Sequence, residues 1–102
     1  MIEAIYGAEE DYKGNIIVAR LEVVKESLKT ITTITHCKAL GYRNVHRKDY
    51  HPIYLTAGEA IKAFIKHTEA KIEARKTALQ ELGEVLVKAK KMLIENSEGE
   101  ND

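Results

Sequence analysis

The sequence predicts an α+β protein: a small N-terminal antiparallel β-sheet followed by one long C-terminal helix that joins copies of the chain into an oligomer. Three observations predict it. β-branched residues crowd residues 16–35, with a short polar break between two runs. A capping box stands at Thr56-Ala57-Gly58-Glu59. Beyond it, apolar residues recur at alternating four- and three-residue steps, and no proline follows.

Taken in order, residues 1–6 read as a short strand, closed by Gly7 and the acidic Glu9-Glu10-Asp11. Lys13-Gly14-Asn15 reads as a turn, because Gly and Asn reach positive φ at low cost. Residues 16–25, with Ile17, Ala19, Leu21 and Val23 on one face, form a second strand, and residues 30–35 a third. The linking Glu26-Ser27-Leu28-Lys29 is of hairpin length. A helical reading competes here, since Ile17, Leu21, Val24, Leu28 and Ile31 also keep a four-three spacing. The run Thr30-Ile31-Thr32-Thr33-Ile34-Thr35 favours strands: β-branched side chains lose rotamer freedom in a helix and fit a pleated surface. Residues 36–51 have no clean periodicity and contain Gly41, so they read as a loop or irregular crossover. Connections that long inside a compact domain are often functional. Residues 53–55, after the only proline, Pro52, read as a short edge strand.

The helix is expected over residues 56–96. Its stripe is Ile61, Ile65, Thr68, Ile72, Arg75, Leu79, Leu82, Leu86, Ala89 and Leu93, widened by Phe64, Ala78, Val85 and Met92. At the usual rise, such a helix is about 60 Å long, beyond what a small sheet covers. A partner helix is therefore required, and Ile61, Ile65, Ile72, Leu79, Leu82, Leu86 and Leu93 are the candidate oligomerisation residues. Gly83 leaves two paths open, a straight helix or a fold-back; a straight one is expected, because a mid-helix Gly costs only about 1 kcal/mol. Thr68 and Arg75 interrupt the stripe; both are expected where the seam is loose, with Arg75 carrying its charge to water along its apolar stem. The alternative is that they set register or face a ligand at a subunit interface. The whole makes one domain, residues 1–102, with sheet and basic loop in 1–55, helix in 56–96 and a disordered acidic tail in 97–102.

Composition narrows the function classes. Lys plus Arg balances Asp plus Glu at 16 each, so net charge gives no reason to expect nucleic acid or a membrane as partner. Cys37 is the only cysteine and forms no internal disulfide, which fits a reducing cytoplasm, and no targeting segment or membrane span is expected. No nucleophile elbow and no phosphate-cradling Gly-rich loop occur, so an enzyme is not expected. His36, Cys37, His46 and His51 invite a zinc reading, but their spacing matches no close-spaced knuckle; neither a metal site nor a cofactor is expected.

Charge is nonetheless segregated. Gly41-Tyr42-Arg43-Asn44-Val45-His46-Arg47-Lys48-Asp49-Tyr50-His51 is strongly basic. Arg43 and Arg47 offer forked donors that match phosphate oxygens, and Lys48 adds a mobile charge. Tyr42, Tyr50 and Tyr54 offer ring faces to a base or line a pocket. The plainer reading of the same residues is a solvated basic loop whose tyrosines pack on the sheet, and a loop that grips a protein is a further alternative.

The order of hairpin, Gly41-Tyr42-Arg43 loop with trailing Lys48-Asp49, and Leu55-Thr56-Ala57-Gly58-Glu59-Ala60 leading into a long helix resembles the phage-encoded anti-Thoeris sponges. That family pairs an N-terminal antiparallel sheet with C-terminal helices, assembles through the helices, and sequesters cyclic ADP-ribose-type signalling nucleotides without cleaving them. The resemblance implies a phage anti-defence protein in the cytoplasm of an infected bacterium: a homo-oligomer that binds a small phosphorylated nucleotide. A protein–protein module that grips a host protein is the alternative, and RNA or DNA binding comes third.

Overall fold

The structure, a computed structural model, describes residues 1–100, with side chains described for 1–97. The chain divides into two compact units, Met1–His67 and Thr68–Asp102.

The first unit is built on a four-stranded antiparallel sheet of β1 (Ala4–Glu10), β2 (Ile16–Glu26), β3 (Thr30–Thr33) and β4 (Val45–Arg47), paired in that order. The β1–β2 hairpin follows from Asp11, whose Oδ1 accepts from the amides of Lys13 and Asn15, each at 2.9 Å, while Gly14 takes φ 86°. This turn sets Ile5 opposite Leu21. At the β2–β3 turn, Ser27 N–H donates to the Thr30 carbonyl, and Thr30 N–H donates to Ser27 Oγ. A bulge between Val23 and Lys25 then shifts the β2–β3 register.

Ile5, Leu21, Val23 and Ile31 form the core with Cys37 and Leu40, against which Ile2, Ala19, Ile53 and Tyr54 pack. Leu40 arrives on a single 3₁₀ turn, Lys38–Leu40, that lies against β1. Gly7 permits this approach, since a Cβ there would stand 2.8 Å from Cys37 Sγ.

Several expectations need correction. The first strand is Ala4–Glu10 rather than residues 1–6; Glu9 and Glu10 lie within it, paired with Ile17 and Ile16. Residues 36–51, expected as a loop or irregular crossover, contain the 3₁₀ turn and β4, with His46 opposite Ile31. Residues 53–55 are no strand; they border β1 through one bond, from Tyr6 N–H to the Tyr54 carbonyl at 2.9 Å. Ile17 does not join Leu21 and Val23 in the core but is exposed, as are Ile16 and Val18.

The helix α1 (Ala57–Glu100) begins where the capping box places it. Glu59 N–H donates to Thr56 Oγ1 at 3.1 Å, although the Glu59 carboxylate accepts from Leu55 N–H at 2.8 Å, not from the Thr56 amide. In the first unit Ala60 is buried. In the second unit every described residue from Glu69 onward is exposed, and the helix runs through Gly83 without a fold-back. It also passes Asn96, where the sequence pattern ended it, and continues to Glu100; Asn101 and Asp102 of the expected tail lie outside the described residues. Among the described residues, no helix is long and apolar enough to cross a membrane.

Candidate functional site

The basic segment is anchored from beneath by β3. Asn44 Nδ2 donates to the carbonyls of Thr33 and Ile34, each at 3.1 Å, and the Asn44 carbonyl accepts from Thr33 N–H at 2.8 Å. Just before it, Gly41 and Tyr42 take successive left-handed conformations, φ 82° and 56°. Gly does so freely, whereas a tyrosine does so at a cost, and strained backbone of this kind concentrates at functional positions. Tyr42 N–H donates to the Cys37 carbonyl at 2.9 Å, and its exposed ring stands edge-on to His36, with centroids 5.9 Å apart. Arg43 is thus held between two fixed residues, and its guanidinium lies over Gly41.

After β4 the chain turns back on itself. Arg47 N–H donates to His51 Nδ1 at 2.9 Å, and its guanidinium reaches Asp49 at 3.2 Å while lying 6.0 Å from the Tyr50 ring centre. Tyr50 is exposed and meets His51 edge-on at 5.0 Å. His51 is drawn below the usual imidazole range, first by desolvation and then by the charges of Arg43 and Arg47, with Asp49 opposing. His46 sits beneath this group with 0% of its surface exposed. Burial, then the charges of Arg43 and His51, also push its pKa down. Its Nε2 lies 3.4 Å from Thr33 Oγ1, and its Nδ1 has no hydrogen-bond partner.

Lys48 and Tyr54 have partners of their own elsewhere in the fold. Lys48 Nζ donates to Glu26 Oε2 at 2.7 Å, and that pairing, with a second bond from Ile2 N–H, holds the Glu26 carboxyl below its ordinary range. The lysine is a tie between the segment and β2. Tyr54 packs against the core. Of the six candidate residues, Tyr42, Arg47 and Tyr50 are exposed and Arg43 is half-buried, with Arg43, Arg47 and His51 close enough to share one electrostatic field. An anion meeting this face would find two forked cations and two ring faces. Asn44, His46 and Glu26, which organise the face, carried no local signal in the sequence, because their partners lie 10 to 22 residues away.

A shallow pocket of about 270 Å³ lies at Ile2, Glu3, Ala4, Tyr6, Arg20 and Leu55, and none of the six candidates lines it. Burial raises the Cys37 thiol above its usual range, so it stays protonated near neutral pH. Among the described residues no group of three or more His, Cys, Asp or Glu is arranged to hold a metal.

The seven candidate oligomerisation residues are all exposed, Ile61 and Ile65 in the first unit and Ile72, Leu79, Leu82, Leu86 and Leu93 in the second. Against protein-family profiles, curated proteins and solved structures, the chain has no match.

Proposed function

We propose that this chain is a non-enzymatic homo-oligomeric binding protein of phage type, assembled through α1, that presents its basic face to a small phosphorylated ligand. The exposed heptad stripe on α1 carries this reading. Large apolar residues repeated at helical spacing and open to water are costly in a soluble helix unless another helix covers them. Arg43 and Arg47 supply the anion-binding groups, with Tyr42 and Tyr50 as stacking faces. The strain at Tyr42 supports a function at this face. A cyclic ADP-ribose-type nucleotide, bound without cleavage to block host immune signalling in the cytoplasm of an infected bacterium, is the ligand that the family resemblance suggests.

Native mass spectrometry of protein taken directly from cells tests both parts, reading subunit number and retained ligand together. Calorimetry with a panel of cyclic nucleotides and ADP-ribose cyclisation products should give heat and return the ligand intact. An absence of heat across the panel removes the nucleotide part. Arg43→Ala with Arg47→Ala should abolish binding.

A second reading, a module that grips a host protein, is favoured by the pairing of Lys48 with Glu26 and Arg47 with Asp49. These pairs reduce the charge offered to a phosphate and leave a surface of mixed charge. Co-purification of one host protein, unaffected by Arg43→Ala and by added nucleotide, would establish it instead.

A further inference from the structure

Within the second unit, the alternating steps put Ile72, Leu79 and Leu86 in one row and Arg75, Leu82 and Ala89 in the next. All are exposed, and the flanking row carries Glu69, Lys76 and Lys90. The placement of these charges discriminates among the ways a second helix can lie on the stripe.

In a parallel, in-register pair each position meets itself. Arg75 would face Arg75 of the second copy across the seam, and Lys71 would flank Lys76 of the second copy twice by symmetry. Each of these contacts sets like charges together. In an antiparallel pair one row faces the other, so Arg75 always meets an apolar residue and no guanidinium faces its own copy. Among antiparallel registers, the one that sets Leu79 against Leu82 of the second copy brings Glu69 beside Lys90 of the second copy, again twice. It also sets Ala78 beside Val85 of the second copy, small against large.

Sliding the pair by one heptad fails in either direction. One shift opposes Lys76 to Lys76 of the second copy, and the other opposes Lys76 to Lys90 of the second copy. A further shift allows Glu69 to meet Lys76 of the second copy but leaves Met92 and Leu93, 63% and 67% exposed, uncovered. The favoured register covers those two residues and omits the first unit's Ile61 and Ile65, which are less exposed at 38% and 49%.

We propose that the stripe of the second unit is covered by a second copy of this chain running antiparallel, with the two-fold axis between Leu79 and Leu82. This rests on the self-association reading above and deepens it. The partner is identified as a second copy because the charge pattern is its own complement: Glu69 and Lys90 lie on one row, each answering the other through the two-fold.

Two measurements on the full chain test it. First, Glu81→Cys or Glu95→Cys, each in a Cys37→Ala background, carries a spin label for electron–electron distance measurement. Labels at position 81 should lie close together, while those at position 95 should lie about 44 Å apart along the axis, from 29 residues of helical rise. Second, in the otherwise unchanged chain, Glu69→Lys alone should weaken the dimer by about fivefold to tenfold in sedimentation equilibrium, and Glu69→Lys with Lys90→Glu should restore it. Short distances at both positions, or no restoration, overturn the antiparallel register while leaving self-association standing. A monomer at every concentration, whether or not it captures another protein, overturns the register and the self-association reading together.

Discussion

The two units treat their apolar residues in opposite ways. In the first, Ile31 is 0% exposed and lies in a core closed by β1, β2 and the 3₁₀ turn. In the second, Leu82 is 66% exposed, and every described residue from Glu69 onward faces solvent. One unit closes its own core, whereas the other leaves its apolar stripe exposed along its described length. Most helical stability in proteins comes from packing an apolar face rather than from propensity. The same residue types therefore build a core in one unit and lie on the surface in the other, where the proposed self-association would cover them.

The largest expected effect tests that division directly. Ile31→Ala should cost the first unit about 2–5 kcal/mol, the usual range for deleting a fully buried branched side chain. Leu82→Ala should cost almost nothing at protein concentrations low enough to keep chains apart, because Ala is the better helix former. Its effect should appear as weaker self-association. The chain allows the units to be followed separately, since all five tyrosines (Tyr6, Tyr12, Tyr42, Tyr50 and Tyr54) lie in the first and there is no Trp. Urea unfolding followed by tyrosine fluorescence reports the sheet, while far-ultraviolet dichroism is dominated by the helix. Equal losses for the two variants in dilute protein would break the comparison.

A smaller effect should differ in sign between two glycines. Gly41→Ala should destabilise by about 1–2 kcal/mol, because φ 82° is a conformation an L side chain adopts at a cost. The Arg43 guanidinium, 2.5 Å from the added Cβ, would also have to move. Gly83→Ala should stabilise the helix by about 1 kcal/mol, since the added methyl meets nothing within 4 Å. Thermal melts of both variants against the parent check the two signs.

The same contrast explains what could be read from the sequence. Gly14, the β-branched strands and the Thr56–Glu59 cap act over a few residues, and each stands close to where local chemistry put it. β4 escaped notice because Val45-His46-Arg47 has no apolar alternation; it is a strand only because Ile31 lies across from His46. The candidate face was half legible for the same reason. Arg43, Arg47, Tyr42 and Tyr50 could be picked out by residue type. That Lys48 is tied to Glu26 and Tyr54 packs on the core depends on contacts made across the fold. The helix stripe, being strictly periodic, was readable along its length and through Gly83; only its end was misplaced, since Asn96 does not end it.

The smallest effect is a pH dependence confined to the first unit. His46 is buried, and its pKa in the folded chain lies below the ordinary 6.5. The folded state therefore prefers the neutral ring, and the unfolded chain binds a proton more readily. This contribution to stability is fully present above pH 6.5 and declines as pH falls through the lowered pKa. His51 is shifted in the same direction and adds to the slope; Glu26, drawn below 4.5 by Lys48, acts only at lower pH, where its protonation releases the tie. Urea midpoints read by tyrosine fluorescence should fall between pH 7 and pH 5.5 in the parent and fall less in His46→Leu, which keeps the site apolar and removes the proton acceptor. An anion held by Arg43 and Arg47 should oppose this slope, because its negative charge favours protonated His51 and His46. Repeating the pH series with inorganic pyrophosphate as the probe links the titration to the proposed face: a midpoint at pH 5.5 that rises with pyrophosphate in the parent, but not in Arg43→Ala with Arg47→Ala, is the expected result.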